Sequence, residues 1–370
     1  LNFQNSNYAI KENIRSVIAE WNSVVSNNIS NNLIAGYRSH DESRDNPERL
    51  FPFVDILKDG ITYTSFGTEP FSSYSSLKYS TFQLQNNLSI FLKNHTLLFG
   101  LNIERYQSED CFFPGAQSVY VFNSLNDFYT DANDYLKNPG RTVSPVNLKL
   151  FQYRYSNIPG KEIPVQPLKV LYSGIYAQDK WDVSEYFRLT YGVRIDMPFF
   201  GDTGYRNEQA EALTFKDEKG NDVHYSTSKL PDANPLFSPR IGFNWDILKN
   251  NTTRLRGGSG VFTGQPAYVW ISNQIGNNGI LTGYQRLDGS ASSPLYTRPF
   301  NPKPDTYKPT NITGNPAASY ELALTDPDYK FPQIWRSNLA IDQKLPFNMM
   351  GSLEFIYDKD INSTYYINAN

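Results

Sequence analysis

Residues 187–196, FRLTYGVRID, alternate without a break. Phe187, Leu189, Tyr191, Val193 and Ile195 are apolar, whereas Arg188, Thr190, Gly192, Arg194 and Asp196 are polar or glycine. A period of two belongs to a β-strand with one greasy face and one wet face. Two architectures use such strands. In a soluble sandwich the greasy face packs on a second sheet. In a membrane barrel it meets lipid, and the wet face lines a lumen.

The pattern predicts five strand pairs: 13–25 with 31–39, 79–92 with 96–105, 170–181 with 187–196, 240–248 with 252–263, and 333–344 with 349–358. Their short connections carry turn formers such as Asn27, Asn28, Asn94, Asn250, Asn251, Pro346 and Asn348. Between pairs the chain wanders through 40–78, 106–169, 197–239 and 264–332, stretches rich in Pro, Gly, Ser and Asn. Compact domains usually join their elements with about 2–6 residues. Short and long connections in strict rotation fit a barrel with tight turns on one rim and long loops on the other. A sandwich has no reason to gather its long connections at one end. The expected fold class is therefore all-β: part of a large antiparallel transmembrane β-barrel, with about ten strands and long extracellular loops. Trp21, Trp181, Trp245, Trp335, Tyr186, Tyr191 and Tyr357 fall in or beside these strands, where rings suit the membrane–water boundary. The plainer reading is that they fill a soluble core.

Composition sharpens the choice. Aromatic residues reach 15%, yet the mean hydropathy is −0.52, a combination that suits one-faced strands joined by polar loops. No run approaches the ~20 apolar residues of a membrane-spanning helix, which leaves a barrel open. A net charge of −3 argues against nucleic acid as a partner. The single Cys111 excludes an internal disulfide and a cysteine-based zinc site. His40, His95 and His224 lie too far apart for ligand spacing, so neither metal nor cofactor is expected. The first residues, LNFQNSNYAI, have no basic region followed by an apolar core, and the sequence ends at NAN. An interior piece of a longer protein is expected.

Four segments carry a resemblance. SPRIGFNWD (238–246) leads into TRLRGGSGVFTG (253–264) and QPAYVWISNQ (265–274); YAQDKW (176–181) precedes LTYGVR (189–194); YVFNSLNDF spans 120–128; FPQIWRSNLAIDQ spans 331–343. In this order they resemble the barrel of TonB-dependent outer-membrane receptors, in particular the Oar-like branch of Bacteroidota. The resemblance covers about 78–370. It implies a 22-stranded barrel in the cell outer membrane, closed by an N-terminal plug and energised by the TonB–ExbB–ExbD system through that plug. Residues 1–370 have room for about ten strands and show no plug or TonB box, so they are expected to be part of a receptor barrel, with plug and C-terminal strands outside them.

Chemistry follows from the two faces. The alternation places Arg188, Arg194, Arg240, Asn244, Asp246, Arg254, Arg256 and Arg336 on the lumen side, with Asp196, Glu354 and Asp358. Basic groups cost about 2–4 kcal/mol against lipid near the bilayer midplane and little in a wet lumen. They line a path or hold a plug; the blander reading is ordinary cross-strand pairing. Gly257, Gly258 and Gly260 lie within a strand, with no helix pattern behind them to bind phosphate, and mark a bend or close approach. Substrate binding is assigned to the loops, through Phe112, Phe113, Tyr120, Phe122, Tyr268 and Trp270, with Tyr129, Tyr135 and Tyr284 nearby. The alternative is loop–loop packing into a cap. Asp131-Ala132-Asn133-Asp134 offers oxygen ligands but departs from calcium-loop spacing.

The function expected is active uptake by a TonB-dependent outer-membrane receptor. The alternative is a barrel acting as a surface scaffold, docking a lipoprotein or serving adhesion or protein export. An enzyme is not expected: Glu354, Asp358 and Asp360 are the only dense carboxylates near a strand end, and they share one strand.

Overall fold

The computed structural model describes residues 6–45, 50–289 and 297–369. Residues 46–49 and 290–296 of two expected loops lie outside the described residues. The chain opens with strands β1 (Ala9–Ser26), β2 (Ile29–Asp45), β3 (Phe53–Lys58) and β4 (Ile61–Phe66). Next come β5 (Ser76–Phe91), β6 (His95–Cys111), β7 (Val119–Phe122), helix α1 (Leu125–Lys137) and β8 (Leu148–Ser156). A long hairpin of β9 (Gln166–Asp182) and β10 (Phe187–Phe200) leads to α2 (Glu208–Glu211), β11 (Phe215–Lys216) and β12 (Asp222–Val223). Then follow β13 (Leu236–Asp246), β14 (Thr253–Thr263), α3 (Val269–Gly276) and β15 (Thr282–Leu287), and finally β16 (Gln333–Leu345) and β17 (Met349–Asn362).

Ten strands form one antiparallel sheet in the order β1-β2-β5-β6-β9-β10-β13-β14-β16-β17. They are the ten strands of the five expected pairs, and each pair is a hairpin. The tight turns use residues that tolerate a left-handed backbone. Lys249 and Asn251 both have φ near +57°, and Asp246 Oδ2 accepts the Asn251 N–H at 2.8 Å, closing the β13–β14 connection. The strands run further toward the long loops than alternation alone indicated. There the wet face turns apolar: Leu168 and Val170 occupy polar-face positions of β9, and both are buried.

Register shows which side chains share a face. One row runs Arg188↔Asn244↔Arg256↔Ala340↔Glu354 across five strands. The next runs Leu189↔Phe243↔Gly257↔Leu339↔Phe355 on the opposite face. That second face is uncovered: Ile175 is 58% exposed, Ile241 54%, Leu339 50% and Phe355 68%. A sandwich would have hidden these residues under another sheet. The choice falls on a one-layer wall. β1 and β17 end the strand order and are not paired with each other.

The long connections are not loose coil. A second sheet, β15-β8-β7-β3-β4, draws strands from three of them, with β3 and β7 parallel. Its core holds Val54, Ile56, Tyr120, Phe122, Phe151 and Phe300, with Phe128 of α1 packed against it. A further cluster ties this loop layer to the wall: Ile271 and Ile275 of α3 and Leu230 pack on Leu168 and Val170. The same arrangement shows what the acidic stretch 131–134 does in this fold. Asp131 lies on α1, fully buried, and accepts from Arg141 Nη1 (2.6 Å), Ser144 Oγ (2.8 Å) and the Phe300 N–H (2.8 Å). Its oxygens hold the loops together. No group of three or more His, Cys, Asp or Glu is placed to hold a metal among the described residues.

A second knot fastens the connection between β10 and β13. Glu211 accepts from Arg206 Nε, Ser226 Oγ and the Thr227 N–H, each at 2.9 Å. Burial alone would raise its pKa, but these hydrogen bonds win and hold the carboxyl at about 2, below its ordinary 4.5. A depressed carboxylate contributes stability above its unfolded pKa and loses it as pH falls through the folded one. Protease resistance of residues 201–235 is therefore expected to be flat above about pH 5 and to decline between pH 4.5 and 2. The decline should vanish in Glu211→Gln, and an unchanged profile in that variant would assign it elsewhere. For the first knot, Asp131→Ala leaves the buried Arg141 guanidinium with Asp134 alone and strips Ser144 and the Phe300 N–H of their acceptor, at a cost of about 1–3 kcal/mol. Limited proteolysis should then cut the loop layer while the ten-stranded wall stays intact.

Candidate functional site

Every arginine assigned to the wet face stands on the same face of the ten-stranded sheet, with Asn244 and Asp246. Most of their charge is spent locally. Arg188 Nε reaches Asp182 at 2.5 Å, directly opposite. Arg194 Nε donates to Asp196 at 2.8 Å, and the pair lies over Gly174, where a Cβ would sit 2.4 Å from Asp196 Oδ1. Arg256 spans two acids, Asp342 at 3.1 Å and Glu354 at 3.5 Å. Arg336 meets Asp358 at 2.6 Å. Arg254 stands in register between Asp246 and Asp342. Arg240 alone of the six has no acidic residue opposite it, diagonal to it or two residues away on its own strand. Cross-strand pairing thus accounts for most of the set, and it occupies Glu354 and Asp358, which do not converge on a cleft.

Nearer the long loops the same face becomes aromatic. His40 stacks on Tyr79 (4.8 Å between ring centres), Tyr79 on Tyr106 (5.5 Å), and Tyr106 meets Tyr268 at 4.7 Å. Phe331 continues the run, 6.3 Å from Tyr268 and stacked on Tyr172 at 5.8 Å. The residues 264–280 lean inward here. Gln265 and Gln83 both donate to Glu104, at 3.3 and 2.9 Å, and Ser272 of α3 donates to Asp110 at 3.4 Å. The result is the loop end, or mouth, of the polar face, where β5, β6 and β9 are roofed in part by an inward-folded loop and Phe331 and Tyr172 are buried beneath it.

The predicted loop residues divide. Phe112 (43% exposed) and Trp270 (42%) present their rings to solvent, and Tyr268 belongs to the mouth. Phe113, Tyr120 and Phe122 are buried at 3% or less, so the exposure expected of them does not hold. They sit in loop cores because the loops condense into a sheet, which no single loop sequence displays. The reading also missed Phe71 and Tyr74, which are 57% and 40% exposed. Tyr74 has φ of +58°, a strained value for a bulky residue and one typical of functional loops. A run of six residues, Phe71 to Ser76, with two aromatics among serines carries no periodicity that would have flagged it.

On the opposite, apolar face the few polar side chains are tied to one another. Ser259 and Ser337 Oγ atoms lie 2.8 Å apart, and Trp335 Nε1 donates to Ser259 at 2.8 Å. Asp179 is met by His95 Nδ1 at 2.7 Å and the Tyr191 hydroxyl at 2.9 Å. Trp21, Trp181 and Trp245 stand on this face beside the short turns, and Trp335 and Tyr357 toward the loops. Rings in two belts around an apolar band are the signature of a wall in a bilayer.

The sequence matches the outer membrane beta barrel domain family over residues 2–370. No curated protein matches it. Among solved structures, the outer membrane transporter YddB from Escherichia coli is similar with a TM-score of 0.53 and 13% identity, covering 96% of this chain and 35% of that one. The ferric-catecholate import receptor Fiu from E. coli, in its closed form, gives 0.48 at 11% identity, covering 95% and 42%. The FrpB iron transporter from Neisseria meningitidis gives 0.46 at 10% identity, covering 97% and 39%. The likeness is one of fold and rests on the first, and the chain spans about a third of that protein's length. With its apolar band, girdles and one-sided loops, the chain belongs to the outer membrane beta barrel domain family and resides in the cell outer membrane.

Proposed function

We propose that this chain is the barrel segment of a TonB-dependent importer, in which the loop end of the polar face admits a substrate. The observation that carries the reading is the aromatic mouth: a polar lumen wall, roofed in part by the segment 264–280, under ordered loops that present Phe112, Trp270, Phe71 and Tyr74. Exposed rings beside amides and carboxylates bind peptides or glycans by stacking and hydrogen bonding. The free edges of β1 and β17 support a partial barrel. In hydrocarbon an unpaired strand edge costs several kcal/mol per backbone group, so each pairs with a strand outside residues 1–370. The Oar-like branch of the family is the reading favoured by the sequence motifs.

A second reading, a surface scaffold, draws on the pre-formed loop sheet, whose core Tyr120 and Phe122 give it a rigid outer platform. A surface lipoprotein would dock there. The two readings part on energy coupling. The purified full-length protein should bind the isolated periplasmic domain of TonB; a full-length protein that ignores that domain in a pull-down supports the scaffold and sinks the importer.

The lumen assignment has its own test. Leu189→Arg or Val193→Arg puts a guanidinium against lipid, at a cost of about 2–4 kcal/mol near the midplane, and should deplete the protein from outer-membrane fractions. Thr190→Arg, pointing into the lumen, should assemble at the wild-type level. Equal losses from all three would refute the assigned faces.

A further inference from the structure

Arg240 departs from the pairing rule that governs its neighbours. Its partners directly opposite are Gly192 on β10 and Gly260 on β14, and its diagonal neighbours on the same face are Thr190, Arg194, Gly258 and Phe262. None is acidic. The guanidinium lies over the Phe262 ring, 4.4 Å from its centre, and its aliphatic stem runs over Gly260, where a Cβ would come within 2.9 Å of Arg240 Cγ. Beyond Gly260 the register places Arg336. Two arginines thus flank one glycine, at a backbone spacing of two strand widths, about 10 Å. Gly242 and Gly258, opposed to each other, leave the adjoining wall without side chains. The hollow holds about 270 Å³ and is edged by Asn338, Ile356 and Glu354, whose carboxylate is taken up by Asn338 and Arg256.

We infer that this Arg240–Gly260–Arg336 row is an oxyanion step on the lumen wall, taking the carboxylate or phosphate of a small solute. An unpaired guanidinium offers a planar fork of donors that matches either group in a two-point hydrogen bond. The glycine floor lets the body of the solute lie flat against the backbone, and Phe262 holds the fork in place from behind. Arg194 and Arg336 are neutralised by their own acids, Asp196 and Asp358, which leaves Arg240 as the free donor of the row. Arg240 sits six residues from Asp246 at the tight turn, about 20 Å along the strand, so the step lies well below the aromatic mouth. It would hand an anionic solute down the wall. The inference rests on the polar face being a lumen, but not on uptake by TonB.

The test is labelling of the full-length protein in detergent with phenylglyoxal, read arginine by arginine by peptide mass spectrometry. Arg240 is expected to react several-fold faster than the acid-paired Arg188 and Arg336. Millimolar galacturonate or inorganic phosphate should slow Arg240 at least five-fold and saturably, while neutral galactose and sodium chloride at matched ionic strength leave it unchanged. Protection by galacturonate alone assigns a carboxylate solute, and by phosphate alone a phosphate. Equal protection by chloride would reduce the effect to screening and overturn the inference. So would an Arg240 that is unreactive before any anion is added, since an acidic side chain from the rest of the protein would then fill the hollow. Failure of the TonB pull-down leaves all these readings untouched, and so separates the two proposals.

Discussion

No water reaches a peptide group in hydrocarbon, so every N–H and C=O of a membrane-crossing strand needs a partner within the protein. The ten-stranded ladder meets that demand strand by strand, and the rest of the molecule is arranged around it. Side chains facing lipid must be apolar or satisfied by one another, as in the Ser259–Ser337–Trp335 cluster. Side chains on the other face are free to be polar. Even Asp179, a carboxylate on the apolar face, keeps its place because His95 and Tyr191 both reach it.

The polar face is divided in its chemistry. On β2, β5 and β6 it is amide-rich, with Asn32, Gln83, Gln85, Asn87 and Asn102 in register. Asn32 bonds to Asn22 at 2.8 Å and to Asn87 at 3.3 Å, and the Tyr176 ring lies over Gly100 to give its hydroxyl to Asn87. From β10 to β17 the same face is ionic, built on arginines and their acids. Neutral amides and hydroxyls hold a solute by hydrogen bonds that are easily exchanged, whereas the ionic half fixes its charges in pairs. Arg240 is the place where that pairing is left open, and it lies among glycines that give an incoming group room.

Much of the wall was legible because it obeys one rule. In Phe187 to Asp196 both faces have one environment along the whole strand, so alternation survives and even the register can be inferred. Toward the loops the rule fails for a physical reason: Leu168, Val170 and Tyr172 stand on the wet face but are roofed by α3 and Phe331, so the wet face ceases to be wet. The loop sheet was illegible for another reason. Val119 to Phe122 is four residues long, and its partners β3 and β8 lie tens of residues away on either side, so no local period exists to be read. That is why Tyr120 and Phe122 were taken for exposed binding residues. Parity alone places the arginines on one common face, yet their pairing, and the exception at Arg240, needs the register.

The central claim is that the odd-numbered side chains of the central hairpins touch lipid. Quenching of single introduced tryptophans by lipids brominated on their acyl chains measures that contact directly, in the reconstituted full-length protein. Val193→Trp and Ile241→Trp should be quenched strongly over the native background, and Thr190→Trp and Asn244→Trp, on the opposite face, should not. Equal quenching at all four sites, or none at Val193 and Ile241, would contradict the account.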